Sequence, residues 1–291
     1  EKTAQDVGGH LFRDVLGSCE TKHTNDQDRN TNLRVACEAI NGTVLDPGEI
    51  FSFNEIVGQR TAEKGYKEGI IFANDGSSES ELGGGVCQVS STIYYCCLIA
   101  DLEIVNRMPH SYVSSYMPMG MDATIYWGAV DFKFRNTNST PIMINASVSG
   151  GKVHISLIGI QEHDYTVKMN YEILTTIPYE EVEEEDPEAE IGTRVQKWTP
   201  YTGYTCWSYK SYYDLSGNFI KKEKCAFSEY KKRDNIYKVG TKQPFGSVEP
   251  SPETTPETAP GTTSGTTSET TPGSPSWTAP GFGNSNSWPW F

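Results

Sequence analysis

The sequence contains no run of about 18 apolar residues, the length that a membrane-spanning helix requires. It is also poor in basic residues, with 24 Lys and Arg against 38 Asp and Glu and a formal net charge of −14. Because phosphate backbones are bound by clustered cations, this charge balance argues against a nucleic-acid partner. Histidine is scarce, and neither the histidines nor the cysteines have zinc-ligand spacing, so we expect no metal and no cofactor.

The two ends of the chain point to the outside of a cell. No signal peptide is visible, and the abrupt start at Glu1 predicts that an N-terminal segment with an export signal or membrane anchor is missing. Residues 244–291 are rich in Thr, Pro, Ser and Gly. Such a composition cannot bury enough apolar surface to order the chain, so we expect a disordered stalk of the kind found on exported surface proteins.

The seven cysteines are an odd number, so at least one thiol is unpaired. Cys96 and Cys97 lie within a predicted helix and are typical of small core residues. Cys206 and Cys225 flank a turn signal at residues 216–218, and a hairpin closed there would place them opposite each other. This arrangement predicts a cross-strand disulfide, which would suit an oxidising exterior.

The hydrophobic periodicity changes along the chain. Apolar residues recur at helical spacing over residues 32–41 and 86–100, and a short alternating strand through Phe51 and Phe53 lies between them. The later runs at 125–127, 132–134, 142–148 and 153–157 alternate as strands do, with Gly150 and Gly151 as the turn between the last two. We therefore predict an α+β fold in which a helix carrying a cysteine packs on an antiparallel sheet, followed by a smaller all-β domain and the disordered tail. The predicted divisions are a lead-in (1–16), a first domain that contains both helices (17–160), a strand with an acidic linker (161–190), a β domain (191–243) and the tail (244–291).

Cys87 is the leading candidate nucleophile because it follows three glycines at the predicted start of a helix. Unpaired N–H groups and the helix dipole at that position lower a thiol pKa. Gly84 and Gly85 leave room for a substrate beside the sulfur, and Gln88 is a candidate donor to an oxyanion. The alternative is that the glycines form an ordinary turn and Cys87 only fills the core.

A thiol nucleophile needs a base, and His110 is the best placed of the five histidines, since it ends a predicted strand downstream of the helix. A third group usually orients the imidazole. If residues 118–121 close a hairpin, His110 faces the region of residue 129, which places Asp131 nearby. Asp131 is then the preferred orienting carboxylate, with Asp122 as the alternative.

Several motifs in residues 17–160 closely resemble the VanW domain family. These motifs are NGTVLDPGEIFSFN (41–54), GQRT (58–61), GGGVCQVSSTIY (83–94), RMPHS (107–111), Tyr116, GMDAT (120–124) and DFKFRN (131–136). The resemblance implies a Gram-positive cell-wall protein and an L,D-transpeptidase that uses Cys87 to form 3→3 cross-links between peptidoglycan stem peptides. The second unit, which ends in VGTK (239–242), is similar to a divergent G5 domain.

The same resemblance suggests residues that contact the substrate. Arg60 and Arg107 are candidates to bind a substrate carboxylate, because guanidinium groups pair with carboxylates in a bidentate manner. Ser111 and Tyr116 lie in the matching motifs and are expected at the site. Two other functions stay open: a cysteine hydrolase acting on the same peptides, and a wall-binding module without catalysis, in which Cys87 would be unreactive.

Overall fold

The computed structural model describes residues 10–72 and 78–243. The predicted tail at 244–291 lies outside these residues, as does most of the predicted lead-in. No helix within the described part of the chain is long and apolar enough to cross a membrane.

The first unit is built on a four-stranded antiparallel sheet in the order β1-β9-β8-β2. Strict alternation of buried and half-buried residues along β9 explains why this segment forms a strand with one face in the core. Gly150 and Gly151 make the turn between β8 and β9, as predicted. The strands of this sheet are β1 (Asp14–Lys22), β2 (Val44–Leu45), β8 (Ile142–Ser149) and β9 (Lys152–Gly159).

Two long helices pack against this sheet. Helix α1 (Gln27–Ile40) begins at an Asp26 cap whose carboxylate accepts the Arg29 N–H, which satisfies one of the free donors of the first turn. Helix α3 (Cys87–Ile99) matches the helix predicted from the sequence within one residue at each end, and its residues 88–98 are all buried. A short helix, α2 (Phe53–Val57), separates them in the chain where the sequence suggested a continuing strand.

Smaller sheets complete the first unit. Strands β3 (Ile50–Ser52), β7 (Lys133–Arg135) and β6 (Glu103–Asn106) form one sheet, and β4 (Glu68–Phe72) pairs with β5 (Ser78–Leu82). The strand expected around residues 125–127 does not form. That segment instead makes a tight loop closed by hydrogen bonds between the backbones of Tyr126 and Val130.

The second unit consists of strands only within the described residues. One sheet has the order β10-β13-β14 and the other the order β11-β15-β12. The chain as a whole is thus consistent with the α+β class. The strands are β10 (Tyr165–Ile177), β11 (Glu181–Glu190), β12 (Arg194–Gln196), β13 (Gly203–Asp214), β14 (Phe219–Tyr230) and β15 (Asn235–Lys242).

The acidic segment differs from the expected linker. It forms β11, which pairs in parallel with β15, and β10 before it pairs with β13. Lysine and arginine side chains, Arg194 and Lys197 among them, contact its glutamates and offset their mutual repulsion. Residues 165–190 therefore form strands that pair with the second unit, and residues distant in the chain supply the cations that the acidic segment itself lacks.

Candidate active site

Cys87 is the first residue of α3 and is half-buried, with its sulfur 3.5 Å from the Ile125 carbonyl oxygen. The preceding turn depends on glycine. Gly85 has a φ of 98°, in the left-handed region that other residues avoid, and a Cβ there would press against the Arg29 side chain. A Cβ on Gly84 would clash with the backbone of Gly69. The triglycine run is thus required for close packing directly before Cys87.

His110 contacts both Cys87 and a buried carboxylate. Its Nδ1 atom lies 2.7 Å from Oδ2 of Asp122, and its backbone N–H donates to the same oxygen at 2.7 Å. The imidazole also lies close enough to the Cys87 thiol for the two groups to affect each other's ionisation. The Asp122 side chain is 1% exposed and that of His110 is 21% exposed, so the carboxylate is buried whereas the imidazole is partly accessible.

Asp131 is not the orienting carboxylate that the sequence favoured. It accepts hydrogen bonds from the Ser52 hydroxyl at 2.6 Å and the Asn54 N–H at 2.9 Å, and so caps the start of α2. The prediction assumed a regular hairpin around residues 118–121. The backbone between β6 and β7 is instead irregular, so strand-pairing arithmetic does not apply, and the alternative residue, Asp122, contacts His110.

These contacts change the ionisation of all three groups. Burial opposes a charge on Cys87, but the hydrogen bond and charge of His110 outweigh it and hold the thiol pKa below its ordinary value. Burial likewise opposes a charge on His110, yet Asp122 and Cys87 raise its pKa to about 10. Against its own burial, the pKa of Asp122 is held well below the usual range by His110 and Arg107. The surroundings thus favour the thiolate of Cys87, the imidazolium of His110 and the carboxylate of Asp122.

Tyr116 is also at the site, as the family motif suggested. Its hydroxyl lies 3.3 Å from His110 Nε2, the ring nitrogen not used by Asp122. Burial and the neighbouring charges of Cys87 and Asp122 raise the Tyr116 pKa, so its hydroxyl stays protonated and able to donate. Ser111, the residue after His110, is bound to the second unit: its backbone carbonyl accepts the Lys231 N–H at 2.7 Å.

Two predicted substrate-binding groups have structural roles instead. The Gln88 amide is buried and donates to the Thr21 and Lys22 carbonyls, while its oxygen accepts from Arg29 at 2.9 Å. Arg107 is 5% exposed and forms a 3.1 Å ion pair with Asp122. Both side chains face inward because the neighbouring strands supply buried partners, an arrangement that local sequence does not reveal.

Arg60 keeps one guanidinium nitrogen without a hydrogen-bond partner. Its Nη1 atom donates to the Asn54 side chain at 2.8 Å and to the Gly58 carbonyl at 3.1 Å. Its Nη2 atom is buried and has no hydrogen-bond partner, and the guanidinium is close enough to Cys87 to help lower the thiol pKa. The nearby Tyr66 hydroxyl is also buried without a hydrogen-bond partner.

The predicted disulfide is not formed. Cys206 and Cys225 are both free thiols, and Cys206 pairs with Ser228 across the hairpin. The turn lies near the predicted place, but two irregularities in the β13–β14 ladder move the register away from the expected pairing. No group of three or more His, Cys, Asp and Glu side chains within residues 10–72 and 78–243 is arranged to hold a metal ion.

Sequence reasoning missed two partners of the site that lie in the second unit. Tyr230 donates to Asp122 at 2.5 Å, and Ser228 accepts from Arg107 at 2.8 Å. Both residues sit in an alternating strand more than 100 positions from His110, and no motif singles them out. Only the packing of the two units brings them to the site.

Cys87, His110 and Asp122 thus form a candidate cysteine–histidine–aspartate site. Residues 28–158 match the family described as VanW like protein, which confirms the resemblance of the motifs around Cys87 and His110. The chain therefore contains a VanW-like domain.

Two curated relatives are similar over this region. YoaR of Bacillus subtilis (strain 168) is 40% identical over 157 residues, which cover 54% of this chain and 52% of YoaR. The vancomycin B-type resistance protein VanW of Enterococcus faecalis (strain ATCC 700802 / V583) is 33% identical over 127 residues, covering 42% of this chain and 46% of that protein. The chain thus spans about half the length of the curated relatives it matches.

Among solved structures the chain is similar to G5 domains, the module suggested for the second unit. The G5 domain of an IgA1 protease matches with a TM-score of 0.20 and 20% identity, over 28% of this chain and 96% of that one. A second, HP0197-G5, matches with a TM-score of 0.16 and 14% identity, over 27% of this chain and 100% of that one. Similarity at this level gives no indication of function.

Proposed function

We propose that this protein is a cysteine acyltransferase of the cell wall, an L,D-transpeptidase that forms 3→3 cross-links in peptidoglycan. The observation that carries the proposal is the hydrogen bond of His110 to the buried Asp122 carboxylate, with the Cys87 thiol close enough to the imidazole to be affected by its charge. That environment lowers the pKa of the thiol and so favours the thiolate, which is the form that attacks an acyl group.

In the first half-reaction the Cys87 thiolate attacks the carbonyl carbon of the third residue of a donor stem peptide. A carbon–sulfur bond forms, and the bond to the terminal D-alanine nitrogen breaks. His110 gives its proton to that leaving amine, which departs as free D-alanine. The Tyr116 hydroxyl, 3.3 Å from His110 Nε2, is the proposed donor to the oxyanion of the tetrahedral intermediate.

In the second half-reaction the side-chain amine of an acceptor stem attacks the thioester. His110, now neutral, takes the proton that the amine loses, and the thiolate of Cys87 leaves. The products are the cross-linked peptide and the starting enzyme, so protons and bonds balance over the two steps. Asp122 stabilises the imidazolium at the start and end of the cycle and stays ionised throughout.

The arginine beside the thiol supports a substrate with a free carboxylate. Arg60 has one unpartnered, buried nitrogen and lies near enough to Cys87 to influence its charge. The terminal D-alanine of a donor stem carries such a carboxylate two bonds beyond the amide nitrogen that becomes the leaving group. Peptidoglycan as substrate implies a location outside the cell membrane.

The test is to incubate the protein with purified disaccharide-tetrapeptide and follow the products by mass spectrometry. We expect a cross-linked dimer with the loss of one D-alanine from the wild type and none from Cys87→Ala. Cys225→Ala is the matched control, since Cys225 is the other partly exposed thiol in the described residues.

The other two functions correspond to different outcomes. Tripeptide as the sole product, absent in Cys87→Ala, would replace the transpeptidase with a hydrolase that uses the same residues. No turnover, with Cys87 also unlabelled by a carbapenem or iodoacetamide, would overturn the enzyme proposal and leave a wall-binding module.

A further inference from the structure

The second unit reaches the candidate site through the end of β14. Tyr230, the last residue of that strand, is 1% exposed. Its hydroxyl donates to Oδ1 of Asp122 at 2.5 Å and accepts the Gly120 N–H at 2.6 Å. One side chain of the second unit therefore holds both the carboxylate that contacts His110 and the turn that carries this carboxylate.

The two oxygens of Asp122 have separate partners. Oδ2 accepts both N–H groups of His110, from the backbone and the ring. Oδ1 accepts from Tyr230 and from Nη2 of Arg107 at 3.1 Å. The pair on Oδ1 fixes the rotation of the carboxylate, and that rotation decides whether Oδ2 faces the imidazole.

Further contacts join the second unit to the segment that carries His110. Nη1 of Arg107 donates to the Ser228 hydroxyl at 2.8 Å, and the Lys231 N–H donates to the Ser111 carbonyl at 2.7 Å. The ring of Tyr112 stacks on Tyr201 with centroids 5.1 Å apart. Contacts before, at and after the His110 segment therefore depend on a unit that lies beyond residue 158, where the VanW-like match ends.

We propose that Tyr230 is a positioning residue of the Cys87–His110–Asp122 site, and that the second unit is an integral part of this site. The hydroxyl holds Asp122 against His110 and thereby fixes the position of the imidazole. The proposal rests on the proposed function only in taking Cys87 as the reacting group. It requires no particular substrate.

The test measures the rate at which iodoacetamide alkylates Cys87 as a function of pH, followed on the Cys87 peptide by mass spectrometry, in the wild type and Tyr230→Phe. The substitution removes one hydroxyl. Asp122 then loses a donor to its anionic form and becomes easier to protonate and to rotate away from His110. The charged or titratable groups around Asp122 are otherwise unchanged, namely Arg107, His110, Tyr94, Tyr116 and Cys206.

We expect the acid limb of the profile to move to higher pH in Tyr230→Phe, with a rate about threefold lower near pH 6. The matched control is Tyr212→Phe. Tyr212 is a tyrosine of the second unit, 4% exposed, whose hydroxyl donates to Asp101 of the first unit at 3.1 Å, away from Cys87. Loss of that hydroxyl weakens the contact between the units by a similar amount and should leave the profile unchanged.

An unchanged or acid-shifted profile in Tyr230→Phe would overturn the proposal, as would an equal shift in Tyr212→Phe. An unreactive Cys87 in the wild type would instead overturn the proposed function, so the two failures are distinguishable. If Tyr230→Phe does not fold, as judged by circular dichroism, Ser228→Ala decides. This substitution removes only the hydrogen bond between Ser228 and Arg107, and we expect it to move the acid limb of the alkylation profile to higher pH as well. An acid limb that does not move would count against the proposal.

Discussion

His110 Nδ1 and Asp122 Oδ2 are 2.7 Å apart, and the carboxylate is almost wholly buried while the imidazole is one-fifth exposed. The charge that orients the histidine is thus shielded from solvent, and the histidine itself can reach a reacting group. Water does not screen this pair as it screens surface pairs, which allows a strong effect on both pKa values.

Replacing Asp122 by Asn should separate its role from that of Asp131. Asp122→Asn removes the charge that stabilises the imidazolium and leaves Arg107 as a buried, unpaired cation. We expect alkylation of Cys87 at pH 7 to fall about 10²-fold and the free energy of unfolding to fall by about 3–5 kcal/mol. Mass spectrometry of the Cys87 peptide and urea denaturation measure the two effects.

Asp131→Asn is the control for this prediction. Asp131 accepts hydrogen bonds from Ser52 and Asn54, so its loss should cost about 1–3 kcal/mol of stability. The reactivity of the folded fraction should be close to that of the wild type. Equal losses of Cys87 reactivity in the two variants would contradict the assignment of Asp122 as the orienting group.

The pH dependence of stability should report the raised pKa of His110. A group whose pKa is higher in the folded state contributes stability that is complete below its unfolded pKa of about 6.5. That contribution is lost as the pH rises through the folded value of about 10. We therefore expect the wild-type Tm to fall between pH 7 and 10.5 more steeply than the Tm of His110→Gln. Parallel Tm curves for the two proteins would show that the shift is absent.

Arg60 should favour an anionic reagent at the thiol. Iodoacetate carries a carboxylate where iodoacetamide carries a neutral amide. The alkylation rate of Cys87 with iodoacetate divided by its rate with iodoacetamide therefore measures how well the site binds a negative charge. Arg60→Gln should lower this ratio about threefold or more, because the unpartnered Nη2 donor is removed. The exposed Arg34→Gln should not change it. A ratio that stays constant in Arg60→Gln would remove Arg60 from the substrate site.

A comparison of two glycines should show whether the close packing before α3 matters. Gly85 and Gly128 both have φ values in the left-handed region, 98° and 79°. A Cβ on Gly85 would press against Arg29, whereas a Cβ on Gly128 would meet nothing within 4 Å. Both alanine variants should lose about 1–2 kcal/mol from backbone strain. Only Gly85→Ala should lose more free energy of unfolding than this, as measured by urea denaturation. Its Cys87 should also be alkylated more slowly than that of Gly128→Ala.

Some of the fold could be predicted because its signals are local. The apolar spacing after the triglycine run predicts α3 within one residue at each end, and the alternation around Gly150 and Gly151 predicts the β8–β9 hairpin. The acidic strand β11 could not be predicted this way. Its own sequence favours a solvated linker, and only pairing with β15 and contacts with distant cations make it a strand.

The residues of the candidate site also divide into those that local sequence predicts and those that only tertiary packing brings together. The sequence by itself determined which thiol is at a helix start, since glycine, cysteine and helical periodicity are properties of one short segment, and it brought forward His110 as the leading base. The tertiary structure decided which carboxylate contacts the histidine, because the backbone between β6 and β7 is irregular and follows no register. It also decided that Arg107 and Gln88 are buried supports, and that Tyr230 of the second unit contacts Asp122. Such contacts depend on how separate elements pack, and packing is not encoded in any one stretch of the chain.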